Sequence, residues 1–247
     1  VAGIIRDSGS ASEEQFTAAV ATARLEALRE FAYGAGHEIN NPLANIATRA
    51  QSLLLDEADP ERRRRLAAIV DQAFRARDMI GGLMVFARPP MPVPEVVNVD
   101  RIVRQVVESV RPLADARDVR LTYSPPPTLV EVRFDPAHAT EAVRLVAVNA
   151  LEATTGSEPV AIAAEVQSRD GVEQCAIEIR DGGSGMDRDT LRRAFDPFFS
   201  GREAGRGIGL GLPKAWRLVD IGGGELQVDS RPGGGTVVTV LLPLAPR

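Results

Sequence analysis

"ARPPMPVPE", residues 87–95, decides how the rest of the chain is read. Four prolines fall within the six residues 89–94. Each lacks an N–H and crowds the preceding helical turn, so no helix continues through such a run. It reads as an extended linker. The two sides differ in kind. Before it, apolar residues recur with a helical period; after it, strand-like and helical runs mix. A domain boundary therefore falls near residues 88–95. The resulting division is 1–11 as linker or remainder, 12–88 as a helical domain, 89–95 as linker and 96–247 as a mixed domain.

On the N-terminal side, Leu25, Leu28, Ala32, Ala35, Ile39, Pro42, Ile46, Ala50 and Leu53 recur every three or four residues. Leu66, Ile69, Ala73, Ala76, Ile80, Leu83 and Ala87 do the same. This is a bundle or coiled-coil seam. Between them, "DEADPE" supplies Asp59 as N-cap and Pro60 at the first helical position. The expectation is an antiparallel hairpin that pairs with a copy of itself as a dimeric four-helix bundle. "RRRR" at 62–65, with acidic neighbours, reads as a solvated face.

"GHEINNPLA", residues 36–44, sits inside the first of these helices and carries Pro42. A proline in a helix interior costs roughly 3 kcal/mol. Here it removes the donor to the Glu38 carbonyl, one turn after His37, and marks a point where the helix can bend. His37 lies two residues from the seam positions Ala35 and Ile39. Two residues are about 200° of helix, so the imidazole is expected to face away from the seam. Asn41 shares its face. The adjacent Glu38 carboxylate can hold the Nδ1 proton and leave Nε2 free to attack. On spacing alone, a surface histidine without a function fits equally.

On the C-terminal side, the pattern reads helix 100–115, strands 118–123 and 129–134, helix 136–154, strands 159–166 and 173–180, a helix near 210–220, and strands near 225–229 and 236–242. Asp135-Pro136 repeats the cap-and-proline start. The expected architecture is an α/β sandwich, one mixed sheet with helices on one face.

Composition narrows the function classes. The 247 residues carry a net charge of -5, with an isoelectric point near 5.3, which disfavours a nucleic-acid surface. Aromatics are too scarce for a base-stacking platform. The single cysteine, Cys175, excludes an internal disulfide framework and reads as a buried small apolar residue. No apolar run reaches the ~18 residues of a membrane span. The chain starts at Val1, and the expectation is a soluble cytoplasmic piece of a longer protein, without membrane contact of its own.

Three glycine clusters remain: "DGGSGMD" (181–187) after a strand, "GRGIGLGL" (205–212) opening a helix, and "RPGGGT" (231–236) before the last strand. None has the phosphate-loop or dinucleotide pattern. Together they read as backbone that must approach a ligand, and glycines ahead of a helix present N–H groups to an anion. Asn149, in the apolar "LVAVNALEA", is either a structural hydrogen-bonding group or an oxygen ligand for a metal carried on phosphates.

These stretches resemble the sequence boxes of sensor histidine kinases. "FAYGAGHEINNPLA" looks like the H box and "NALEA" the N box. "DGGSGMD" resembles the G1 box, "FDPFF" (195–199) the F box, "GRGIGLGL" the G2 box and "GGGT" the G3 box, all in family order. The resemblance implies a phosphoacceptor hairpin followed by a Bergerat-type ATP-binding sandwich that binds ATP and Mg2+. It also implies a homodimer and a partner response-regulator receiver domain that accepts the phosphoryl group on an aspartate.

His37 would be the phosphoacceptor and Glu38 its general base, with Asn41 positioning the receiver or a water. Asp181 would bond the adenine amino group, and Gly183 and Gly185 would let backbone pass the base. Asn149 would hold Mg2+. Gly205, Gly207, Gly209 and Leu210 would form the lid hinge and its phosphate-facing end, with Thr236 supporting the pocket. Departures stand at Leu145, where many members carry a second asparagine, and at Gly182, which replaces Asn or Thr. "SGRE" (200–203) replaces a Thr-Thr-Lys run and turns attention to Arg202 and Arg206. His138 matches no family position and reads as a surface or capping residue. Two other readings stay open: a phosphatase-biased form of the same switch, and a non-catalytic nucleotide-binding dimerisation scaffold.

Overall fold

Apolar residues at helical spacing and short β-branched runs fold into two compact units in the computed structural model, Val1–Arg88 and Pro89–Arg247. It describes residues 36, 38–154, 158–169, 171–201 and 209–246.

In the first unit, α1 (38–56) runs through Pro42 without a break in helical structure. α2 (Pro60–Ala87) starts where expected: Asp59 accepts from the Glu61 and Arg62 N–H groups, with Pro60 in the first turn. The Arg63 guanidinium closes the hairpin by donating to the carbonyls of Leu54 (3.1 Å) and Glu57 (2.9 Å). These are C-terminal carbonyls of α1 and its turn, which lack helical donors. The apolar seam divides into two stripes. Ala47, Ala50, Val70, Ala73, Leu83, Phe86 and Ala87 are buried, whereas Ile46, Leu53 and Ile69 are 48%, 62% and 45% exposed. Leu43, Ile46, Ala68, Ile69, Gln72 and Ala73 line one groove.

In the second unit, β1 (Glu95–Asn98) pairs antiparallel with β3 (Glu131–Phe134). Glu95 already pairs with Phe134, so the strand begins within the stretch read as linker. A five-stranded sheet has the order β2 (Leu121–Ser124), β4 (Val160–Arg169), β5 (Val172–Asp181), β7 (Thr236–Pro243), β6 (Glu225–Ser230). Only β2–β4 is parallel. The expectation of one sheet is thus corrected to two, joined by the bridge Val132↔Leu244 and by the Ala245 N–H donating to the Glu131 carbonyl at 2.9 Å. β1 was not anticipated, because four residues beside a proline run carry too little alternation.

Helices α3 (Val99–Ala116), α4 (Pro136–Ala153) and α6 (Gly211–Ile221) form the other layer, with α4 central between them and packed on the sheet. On α3, Val99, Ile102, Val103, Val106, Val107, Val110 and Ala114 make one buried stripe. α4 is capped by Asp135 and packs mainly through alanine and valine, which lets helix and sheet approach closely. His138 is a correction: it is 5% exposed, and only its backbone N–H takes part in the cap. A five-residue α5 (Arg188–Arg192) follows the first glycine cluster.

Candidate functional site: a glycine-walled cleft

The candidate cleft lies where α4, the end of β5, the start of α6 and the start of β7 pack together. Asp181, the last residue of β5, is buried (7% exposed). Its Oδ1 accepts the Gly183 N–H at 2.9 Å. It pairs across the sheet with Thr236. Close approach explains the glycines. A Cβ at Gly183 would lie 2.6 Å from the Ala153 carbonyl oxygen, and one at Gly235 would lie 2.1 Å from that of Asp181. Gly185 has φ 66, and its Cβ would lie 1.9 Å from the Arg231 carbonyl oxygen. The first and third glycine clusters are therefore one structural object, and the Gly233 N–H donating to the Ser184 carbonyl at 2.7 Å ties them.

Ser230 is a site residue that sequence reasoning missed. Its Oγ accepts the Met186 N–H (2.8 Å), donates to the Gly235 carbonyl (3.0 Å) and lies 2.9 Å from Thr236 Oγ1. One hydroxyl thus links both glycine loops to Thr236. A serine at the end of a strand carries no sequence signal of this.

Asn149 lies one turn before Ala153 on α4. A Cβ at Gly211 would lie 2.9 Å from its Oδ1 and 3.0 Å from its Nδ2, so the amide lies against the first residue of α6. Leu210, the N-cap of α6, is buried and offers no side-chain hydrogen bond to the first turn. Gly209 has φ 67, and its carbonyl accepts the Phe198 N–H at 3.0 Å. This joins the F-box-like stretch to the start of α6, and the Phe195 ring, tilted 51° against Trp216 with centroids 6.2 Å apart, joins it to the middle of that helix. Leu145 is half-buried. One turn earlier, Glu141 holds Lys214 of α6 at 2.7 Å and Arg144 at 2.7 Å. Burial pushes the Glu141 carboxyl up, but these two cations outweigh it and hold it below the ordinary carboxylate range. Gly182 is bare because Glu158 fills its place: a Cβ there would lie 2.6 Å from both Glu158 Cβ and Oε2.

Close approaches gather Asp181, Gly183, Gly185 and Thr236, while Asn149, Gly209 and Leu210 lie around the start of α6. Arg202, Gly205, Arg206 and Gly207 lie outside the described residues, as does His37. Glu38 and Asn41 belong to the first unit, where both are exposed on α1. Chemically, the cleft offers a buried carboxylate at one end and an amide beside an uncapped helix start at the other. Such an arrangement suits a hydrogen-bonding base at one end and phosphates at the other.

Two family models match the chain. Residues 27–91 match the His Kinase A (phospho-acceptor) domain. Residues 134–246 match the Histidine kinase-, DNA gyrase B-, and HSP90-like ATPase. Together the two models make the chain a histidine kinase catalytic core. Among relatives of this histidine kinase chain, sensor histidine kinase ZraS of Klebsiella oxytoca is 29% identical over 228 residues, covering 91% of this chain and 48% of that protein. The C4-dicarboxylate transport sensor protein DctB of Pseudomonas aeruginosa is 30% identical, covering 92% and 38%. The chain spans about half the length, or less, of the relatives it matches. Full-length ShkA in complex with AMPPNP has the same fold at a TM-score of 0.73 and 22% identity, covering 89% of this chain and 46% of that one. Among the described residues, no helix is long and apolar enough to cross a membrane.

Proposed function

We propose that this chain transfers the γ-phosphoryl group of ATP to His37 and passes it to an aspartate of a response-regulator receiver domain. The observation that carries the reading is the cleft itself. Glycine clusters some fifty residues apart meet at Asp181, and Gly211 of the cluster between them lies against Asn149, in a chain whose other unit matches the phosphoacceptor family. Whole-protein activity is inferred from the family, since the relatives are about twice as long.

In this reading Asp181 accepts from the adenine amino group, with Gly183 and Gly185 giving the base room. Gly205, Gly207, Gly209 and Leu210 shape the phosphate end, with Arg202 and Arg206 as its cations and Thr236 bracing the pocket through Ser230. The donor set fits a nucleotide-borne Mg2+: Asn149 would hold it, and the ion would supply charge neutralisation on the phosphates. Glu38 holds the Nδ1 proton while the Nε2 lone pair of His37 attacks phosphorus, and the γ-phosphorus–oxygen bond breaks with its electron pair leaving on ADP. In the second transfer, a receiver carboxylate oxygen attacks the same phosphorus, the phosphorus–Nε2 bond breaks with its electron pair returning to the imidazole, and His37 is regenerated.

The apolar stripe containing Ile46, Leu53 and Ile69 favours a homodimer, because a second hairpin would remove it from water. The functional division is 12–88 for dimerisation and phosphotransfer and 96–247 for ATP binding, joined by 89–95, with 1–11 as linker or remainder. The location is cytoplasmic. Glu38 and Asn41, both exposed and three residues apart, also fit removal of phosphate from the receiver. Asn41→Ala should lose that activity and keep autophosphorylation.

The test is incubation with labelled ATP and Mg2+. An acid-labile, base-stable label is expected, absent in His37→Gln. A label that persists in His37→Gln would sink the assignment.

A further inference from the structure

The linker has few hydrogen bonds to give. With prolines at four of the positions 89–94, only Met91 and Val93 carry an N–H. Met91 is 87% exposed, whereas the Val93 N–H donates to Asp135 Oδ2 at 2.8 Å. The other oxygen of the same buried carboxylate, Oδ1, accepts the His138 N–H at 2.9 Å and caps α4. Burial raises the Asp135 pKa, but the two N–H donors outweigh it and keep the group ionised below its ordinary range. Hydrogen bonds to an ionised acceptor are about twice as strong as neutral ones.

Capping alone does not need this residue. Ser, Thr or Asn would cap α4 with one acceptor atom. The helix and the linker use different oxygens, Oδ1 and Oδ2; a carboxylate offers an acceptor on both sides, whereas the second atom of an asparagine amide is a donor. The Val93 side chain is 65% exposed, so its packing does not hold it there. Two residues on, Glu95 pairs with Phe134, the residue next to Asp135. The linker is thus fastened at two adjacent points, with Pro94 stiffening the span between them.

We propose that Asp135 is a positioning residue that hooks the proline-rich linker, through the Val93 N–H, to the cap of the helix bearing Asn149. A polyproline segment is a semi-rigid spacer. Movement arriving from the end of α2 is therefore delivered to α4 rather than absorbed in a loose connection. The proposal rests on the kinase reading above.

The test compares Val93→Pro, Val93→Ala and Asp135→Ser in the full chain. Val93→Pro removes the hooked N–H and leaves the cap intact; Asp135→Ser keeps the cap and loses the hook. Hydrogen exchange over residues 89–94 reports just two amides, and one slow and one fast amide are expected. In Asp135→Ser both should be fast. At saturating ATP and Mg2+, both hook-removing variants should label His37 about tenfold more slowly, because small misplacements of reacting groups cost large rate factors. Their nucleotide affinity should stay within about twofold, as α4 keeps its cap. Val93→Ala should match the unaltered protein. Two equally fast amides in the unaltered protein, or unchanged labelling in Val93→Pro, would overturn the hook. Slowing in Asp135→Ser alone would overturn it too, reducing Asp135 to a helix cap. If the unaltered protein takes no label, the kinase reading fails while hydrogen exchange still decides the hook.

Discussion

Gly185→Ala is the sharpest probe of the cleft. The residue has φ 66, and the added methyl would lie 1.9 Å from the Arg231 carbonyl oxygen, 2.7 Å from its carbon and 3.0 Å from the Gly235 oxygen. Alanine has no rotamer to escape into, and the obstacles are backbone, so one of the two glycine loops must move. The left-handed conformation costs alanine about 1–2 kcal/mol, and overpacking adds about 1–3 kcal/mol. Gly233→Ala is the matched control. Its φ is 72, but the methyl would meet nothing within 4 Å, so only the conformational part, about 1–2 kcal/mol, applies. Urea unfolding of the nucleotide unit should show Gly185→Ala less stable than Gly233→Ala by about 1–3 kcal/mol at similar slope. Nucleotide affinity should fall about tenfold further, equivalent to ~1.4 kcal/mol. If the two variants unfold within about 0.5 kcal/mol of each other and bind nucleotide alike, the close approach of the loops does not shape the site.

Three further outcomes are expected. Ser230→Ala strands the Met186 N–H and the Gly235 carbonyl, so it should destabilise the nucleotide unit by about 1–3 kcal/mol and weaken nucleotide binding; an unchanged affinity would deny Ser230 its place in the site. Ile69→Asp puts a charge on the exposed apolar stripe and should shift sedimentation from dimer to monomer, whereas a dimer that persists would place the partner surface elsewhere. Burial pushes the Cys175 thiol up to about 12. Its raised folded value means a stability contribution complete below the unfolded value of about 8.5 and lost as pH climbs from there through the folded value. At pH 8 an alkylating reagent should modify it only at the rate of unfolding; rapid modification of the folded protein would contradict its burial.

Much of this was legible because it is local. Asp59-Pro60 and Asp135-Pro136 start helices through contacts within one turn, so their sequence signal survives intact. The stripe of α3 and the runs of β4, β5 and β7 are read from period alone. The short β1 and α5 were not: β1 abuts the proline run, and the five residues of α5 span little more than one helical turn. His138 was expected at the surface or in a cap; its side chain is buried by packing that no neighbour in sequence reports. In the cleft, Asn149 was visible as a polar residue inside an apolar run, the glycines as clusters, and Asp181 only through the resemblance of the box it opens. Ser230 was invisible, because its three partners include two loops that meet only in the folded sheet.

The sequence alone determined the division at the proline run, the order of the longer elements, the Asp59 and Asp135 caps and the family boxes, all of which follow from covalent chemistry or from neighbours within a turn. Tertiary structure alone decided the strand order β2–β4–β5–β7–β6, the split of one apolar seam into a buried and an exposed stripe, and which glycine meets which carbonyl. It also decided that the second oxygen of Asp135 serves a linker amide 42 residues earlier. Period and propensity act over a few residues. A hydrogen bond spanning 42 is set only when packed elements bring its donor and acceptor together.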